Sequence, residues 1–187
     1  MSITPRQAQA VYRQSDRLFS AEQVEEALDR MAAEISASLA ECNPLVLCVM
    51  TGAVIVTGHL LTRLDFPLQL DYLHATRYGA ETSGGEIRWL ARPAASLAGR
   101  TVLVVDDILD EGHTLAAIVS YCRSKGCAAV HVAALVEKRH LRKAPGVMAD
   151  FVGLEVEDRY VFGFGMDYKG YLRNLPGIHA VREEQSD

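Results

Sequence analysis

The segment Thr101–Asp107, TVLVVDD, is a continuous apolar run that ends in two adjacent acids. A strand with one solvated face alternates apolar and polar residues; an unbroken run belongs to a strand covered on both faces. A third acid, Asp110, follows closely, and Glu111-Gly112-His113-Thr114 leads into a helical pattern predicted over about His113–Ser124. Gly126 is placed to terminate that helix.

The rest of the chain repeats this alternation. Ser20 with Gln23 reads as a capping box. Val24, Leu28, Met31, Ile35 and Leu39 then mark one apolar stripe, stopped at Asn43-Pro44. Leu45–Met50 is a second fully apolar run, Thr51-Gly52-Ala53 a turn, and Val54–Leu64 an apolar helix. Further strands are expected at Gln69–His74, Ile87–Leu90 and Ala129–Val136, with Phe151–Val156 and Tyr160–Phe164 near the sheet edge. Thr76–Glu86 carries three glycines and no period, so it reads as a mobile loop. The predicted class is α/β, a mostly parallel central sheet flanked by helices. The 187 residues suit one domain.

Composition excludes several functions. The net charge of −5 offers no field for nucleic acid. No apolar run approaches the roughly 20 residues of a membrane span, and the polar N-terminus is not a signal peptide. Cys42, Cys48, Cys122 and Cys127 match no zinc or redox spacing and are expected to be buried reduced thiols, in keeping with a cytoplasmic protein.

In parallel sheets, ligands sit beyond the carboxyl ends of the strands. That rule points to Thr51-Gly52, to Asp106 through Thr114, and to Lys138. A helix start offers free N–H groups and a positive dipole end to a phosphate. Gly112 lets the backbone wrap closely, and Thr114 can donate its hydroxyl. Adjacent carboxylates suit sugar hydroxyls or a hard cation. The spacing favours a sugar phosphate over a bare metal. Strand-end acids also serve as caps, and an acid pair occurs in receiver domains, but there it follows the first strand. The Walker-type phosphate loop is absent.

Val102–Leu115, VLVVDDILDEGHTL, resembles the phosphoribosyl-pyrophosphate motif of the type I phosphoribosyltransferases. Cys48–Val54, Leu135–Arg139 and the tail Phe151–Pro176 resemble, more narrowly, the hypoxanthine-guanine phosphoribosyltransferases. The resemblance spans roughly Val11 to Val181 and implies a core at about 40–155 with a small hood formed by the chain ends. It implies that Asp106 and Asp107 bind the ribose hydroxyls with Mg2+ nearby, and that Asp110 acts as the catalytic proton-transferring group. Such a carboxylate is expected to have a pKa tuned for exchange at neutral pH. Asp110, Glu111, Gly112, His113 and Thr114 would cradle the 5′-phosphate. Thr51 and Gly52 would bind pyrophosphate, in a turn that often holds a non-proline cis peptide, together with Arg173. Lys138 would meet the purine 6-oxo group, Tyr160 would stack on the base, and the Val161 backbone would read its edge. Asp167 is the second magnesium-linked acid. Arg77 and Tyr78 fall in the closing loop.

Each assignment has a plainer reading. Lys138 sits in a charge run, Tyr160 in an apolar run, and Asp167 with Arg173 would make an ordinary surface pair. Two departures stand out: Thr51 replaces a basic residue common in relatives, and Glu111 and His113 replace a small hydroxyl and a basic residue. Glu111 is therefore expected to point to solvent. The implied activity is transfer of phosphoribose to N9 of hypoxanthine or guanine, by a homodimer or homotetramer that binds no membrane. Alternatives are a nucleotide-sensing regulator on the same fold, or a transferase for another base such as xanthine.

Overall fold

The computed structural model describes residues 3–77 and 87–182. The main sheet has six strands: β2 (Leu45–Val49), β3 (Gln69–Arg77), β4 (Ile87–Ala91), β5 (Thr101–Leu109), β6 (Ala129–Arg139) and β7 (Phe151–Glu157). Their order is β4-β3-β2-β5-β6-β7, and all neighbours are parallel except β3 with β4. From β2 the chain runs first to one side and then to the other. The crevice between the carboxyl ends of β2 and β5 is thus the topological switch point, where such sheets bind ligands.

Both faces of β5 are covered, as its apolar run requires. Leu103 and Val105 join the core under α2 (Ala21–Leu39) and α3 (Val54–Leu61), while Val102 and Val104 join the core under α4 (His113–Ser124). The Ser20–Gln23 capping box is formed, and the five stripe residues of α2 are all buried. The cap contributes about 1 kcal/mol; burying the stripe contributes more, at roughly 1.5–3 kcal/mol per large apolar side chain.

Some boundaries differ from expectation. Helix α3 stops at Leu61, three residues before Leu64. Strand β2 stops at Val49, one residue short of its expected end; the other main-sheet strands run past their expected ranges, because backbone pairing continues where side chains turn polar: β5 pairs with β6 out to Leu109 and Glu137. Strand β3 takes in Thr76 and Arg77, so the expected loop starts later, and residues 78–86, Tyr78 among them, lie outside the described residues.

The second sheet corrects the edge-strand expectation for Tyr160–Phe164. Only β8 (Val161–Phe162) forms there, in a separate three-stranded sheet of order β1-β9-β8, with β1 (Asp16–Phe19) and β9 (Ile178–Ala180). All its pairings are antiparallel. Helix α1 (Pro5–Gln14) precedes it, capped by Thr4 with Gln7 and opened by Pro5. This helix carries too few apolar residues to show a stripe, and its legible signal was the Thr4–Gln7 capping box. All four cysteines are free, but Cys42 is exposed because it ends a 3-10 turn on the surface.

Candidate functional site

Strand β5 delivers Asp106 and Asp107 to the switch-point crevice, each only 8% exposed. Asp106 Oδ1 accepts the Asp107 N–H at 3.0 Å. Burial pushes both carboxyls up, that of Asp106 furthest because the charge of Asp107 adds to it. Two buried acids side by side call for a cation, and Arg173 stands 3.9 Å from Asp107.

Gly112 caps α4 at φ 78°, a left-handed conformation, and a Cβ there would run into Val147 and Leu109. The first intrahelical bond runs from Ala116 N–H to the Gly112 carbonyl. The N–H groups before it face the crevice end of the helix, where an anion is favoured.

Across the crevice the Met50–Thr51 peptide is cis. A Cβ at Gly52 would fall on the Asp107 carboxylate, and one at Gly165, whose φ is 105°, would fall on the Gly52 carbonyl. These two glycines let three chain segments meet at backbone distance. The second-sheet side contributes Tyr160, half exposed and edge-to-face with Tyr168 at 5.3 Å. It also contributes Asp167, paired with Arg173 at 2.6 Å. Arg173 donates to the Gly165 carbonyl as well.

The third wall is the end of β6. Lys138, 11% exposed, donates to Asp110 Oδ2 at 2.7 Å, and Asp158 lies 3.8 Å from the same ammonium. His140 meets Asp110 Oδ1, also at 2.7 Å. Burial pushes the Asp110 carboxyl up, but the hydrogen bonds from Lys138 and His140, with the Lys138 charge, outweigh it and hold the group below the usual carboxylate range. The expected tuning toward neutrality is therefore corrected: with no base present, Asp110 is firmly ionised. Glu111 is likewise not simply turned to solvent. It borders the cleft and is bracketed by the His113 ring at 3.6 Å and by the Arg142 guanidinium at 3.7 Å, whose charge offsets its own.

The cleft so formed has a volume of about 570 Å³. Thr51, Gly52, Asp106, Asp107, Asp110, Glu111, Gly112, His113, Thr114, Lys138, Tyr160, Val161, Asp167 and Arg173 all border it. Arg77 closes β3, and its side chain is not described. The sequence reading missed His140, Asp158, Gly165 and Met166. His140 had one signal: it lies two residues beyond Lys138, on the same side of an extended chain.

The model of the phosphoribosyl transferase domain matches residues 14–169. The chain belongs to the phosphoribosyltransferase family. Relatives within it include the hypoxanthine-guanine-xanthine phosphoribosyltransferase of Tritrichomonas foetus, 34% identical over 89% of this chain and 91% of its own. The hypoxanthine-guanine phosphoribosyltransferase of Bacillus subtilis is 33% identical over 88% and 92%. Among solved phosphoribosyltransferases, a hypoxanthine-guanine-xanthine enzyme superposes with a TM-score of 0.82 at 32% identity, covering 90% of this chain and 97% of its own. A Staphylococcus aureus hypoxanthine phosphoribosyltransferase gives 0.87 at 25% identity, covering 92% and 95%.

Two sets of residues suit a metal. Asp110, His140 and Asp158 bring ligand atoms within 4.8 Å of one another. An ion there would compete with the Lys138 ammonium and with the Arg142 guanidinium, which sits 2.7 Å from Asp158. Asp106 and Asp107, buried oxygens facing the cleft, fit a hard divalent cation better. Among the described residues, no helix is long and apolar enough to cross a membrane.

Proposed function

We infer that this chain transfers the 5-phosphoribosyl group from phosphoribosyl pyrophosphate to N9 of a 6-oxopurine, hypoxanthine or guanine, releasing pyrophosphate and IMP or GMP. The observation that carries this reading is one cleft in which a helix start, two buried acids and a nearly buried lysine beside an ionised aspartate face one another. A lysine donor suits a carbonyl at purine C6 and not an amino group.

The donor's 5′-phosphate rests on the Asp110–Thr114 loop and the start of α4, where N–H groups and the helix dipole favour it. Asp106 and Asp107 take the ribose 2′- and 3′-hydroxyls. Thr51 and Gly52 offer backbone groups to pyrophosphate, and Arg173 adds charge to the same end. Tyr160 supplies a face for the base, Val161 its backbone, and Lys138 a proton donor to the 6-oxo oxygen. Lys138 then leaves Asp110, whose freed oxygen accepts the purine proton as N9 attacks the anomeric carbon. The transition state carries positive charge on the ribose, which the ionised Asp110 favours. Asp106, Asp107 and Asp167 would hold Mg2+, which would supply charge neutralisation to pyrophosphate.

Residues 1–187 are proposed to act as one domain, with a core at about 40–155 and a hood from the chain ends. Arg77 and Tyr78 are proposed to close over the reaction. The four free thiols support a cytoplasmic location. Exposed Leu70, Tyr72 and Leu90 on β3 and β4 support self-association, as a homodimer or homotetramer.

The test is an assay with the donor, Mg2+ and a panel of hypoxanthine, guanine, xanthine, adenine and uracil. Transfer to hypoxanthine or guanine at the highest kcat/KM is expected. No transfer to any 6-oxopurine refutes the reading.

A further inference from the structure

We propose that His140 is a positioning residue for Asp110: it holds one carboxylate oxygen fixed so that the other can be handed from Lys138 to the base. This rests on the transferase reading above and deepens it.

The geometry assigns the proton. His140 Nδ1 accepts the backbone N–H of Arg142 at 3.1 Å, so that nitrogen carries no proton of its own. The ring's proton is therefore on Nε2, which donates to Asp110 Oδ1 at 2.7 Å. The side chain is 5% exposed, and β6 ends one residue before it. Backbone bond, burial and strand end together fix the ring's orientation.

Asp110 thus has two unlike partners. On Oδ2 sits the Lys138 ammonium, at the tip of a long flexible stem with a second acid, Asp158, 3.8 Å away. On Oδ1 sits a ring with no freedom to follow. When a base offers its 6-oxo oxygen, Lys138 can exchange partners and His140 cannot. Without His140, the carboxylate would lose its remaining tether at the moment Lys138 leaves, and could rotate about its Cβ–Cγ bond as the proton arrives. The other charged groups here are accounted for: Arg142 pairs with Asp158 at 2.7 Å and reaches Glu111 at 3.7 Å, and His113 pairs with Glu111 at 3.6 Å. Arg142 also acts on Asp110 through its charge.

The test compares His140→Leu, which fills the space without a donor, with His140→Gln, which restores an N–H near the Nε2 position and does not titrate. Steady-state kinetics and pH–rate profiles are measured on folded protein. The Leu variant should lose roughly tenfold to a hundredfold in kcat with the donor KM unchanged, the scale of a misplaced reacting group. Its acid limb should move to higher pH, because Asp110 has lost a contact that favours its ionised form. The Gln variant should recover most of kcat and the limb. A Leu variant within twofold of the parent in kcat, with an unmoved limb, overturns the proposal. So does equal loss in both variants, which would assign the ring to packing. Should the Leu variant not fold, Gln decides alone: kcat within fivefold of the parent upholds the role, and a larger loss overturns it. A parent with no transfer activity would sink the transferase reading instead, so the two failures are distinguishable.

Discussion

Asp110 illustrates what a single side chain can show. Its proposed role as the reactive acid came from the resemblance of its segment, an acid pair at a strand end followed by a glycine turn, to the phosphoribosyl-pyrophosphate motif. Its electrostatic state was not legible, because both partners, Lys138 and His140, arrive from the end of β6, roughly 30 residues later. Sequence spacing carries no record of that meeting. Asp110→Asn keeps the shape and removes the base. Turnover should fall by roughly 10²–10⁴-fold, while the donor KM shifts little; initial-rate kinetics decide, and unchanged turnover would count against the role. Gly165 teaches a different lesson. Nothing in the string marks it, since its need for a missing Cβ comes from the Gly52 carbonyl of a distant turn. Gly165→Ala should cost about 1–3 kcal/mol from its positive φ alone, and the clash adds to that. Urea unfolding would reveal it, together with a raised donor KM as Asp107 is displaced.

Elements were legible in proportion to how local their cause is. The α2 stripe, the β2 and β5 runs and the Ser20–Gln23 capping box are written in neighbouring residues, and all are formed. Strands β1, β8 and β9 are two to four residues long, and β1 finds its partner β9 only across most of the chain. No periodicity can announce a strand that short. Their sheet contains a titratable centre, His179, which contacts Ser15 at 3.2 Å through Nδ1 and packs against Tyr12 and Phe162. Burial, with the charge of Arg17 assisting, holds the imidazole below its ordinary pKa. The neutral ring is thus the native form. Its contribution is present above the unfolded value of about 6.5 and is lost as pH falls through the lowered folded value. Hydrogen exchange at β1, β8 and β9 should accelerate before that of the six-stranded sheet as pH falls below about 6.5. The same acid step in His179→Gln should be smaller; an identical step would remove the histidine from the account.

Across the whole molecule, two apolar layers cover the two faces of one sheet, and the cleft opens where strand order reverses. This much followed from the alternation of apolar runs and helices, because few arrangements bury such runs. The way the small sheet meets the large one did not follow, for it depends on Gly52, Gly165, Arg173 and Asp107 converging. A ligand that spans both parts should stabilise them together. Donor with Mg2+ at about a hundred times its Kd adds about 2.7 kcal/mol. For a chain of this size that raises Tm by roughly 5–10 °C. Asp107→Asn should abolish most of the rise in a thermal-shift titration, and an undiminished rise would show that this acid does not contact the ligand. The order β1-β9-β8 has one more consequence. The central strand of that sheet is the last of the three to leave the ribosome, so β1 and β8 have nothing to pair with until Ile178–Ala180 emerge. During synthesis the half of the cleft proposed to hold phosphate can take shape well before the wall proposed to stack the base, and a nascent chain stalled short of residue 178 would present one without the other.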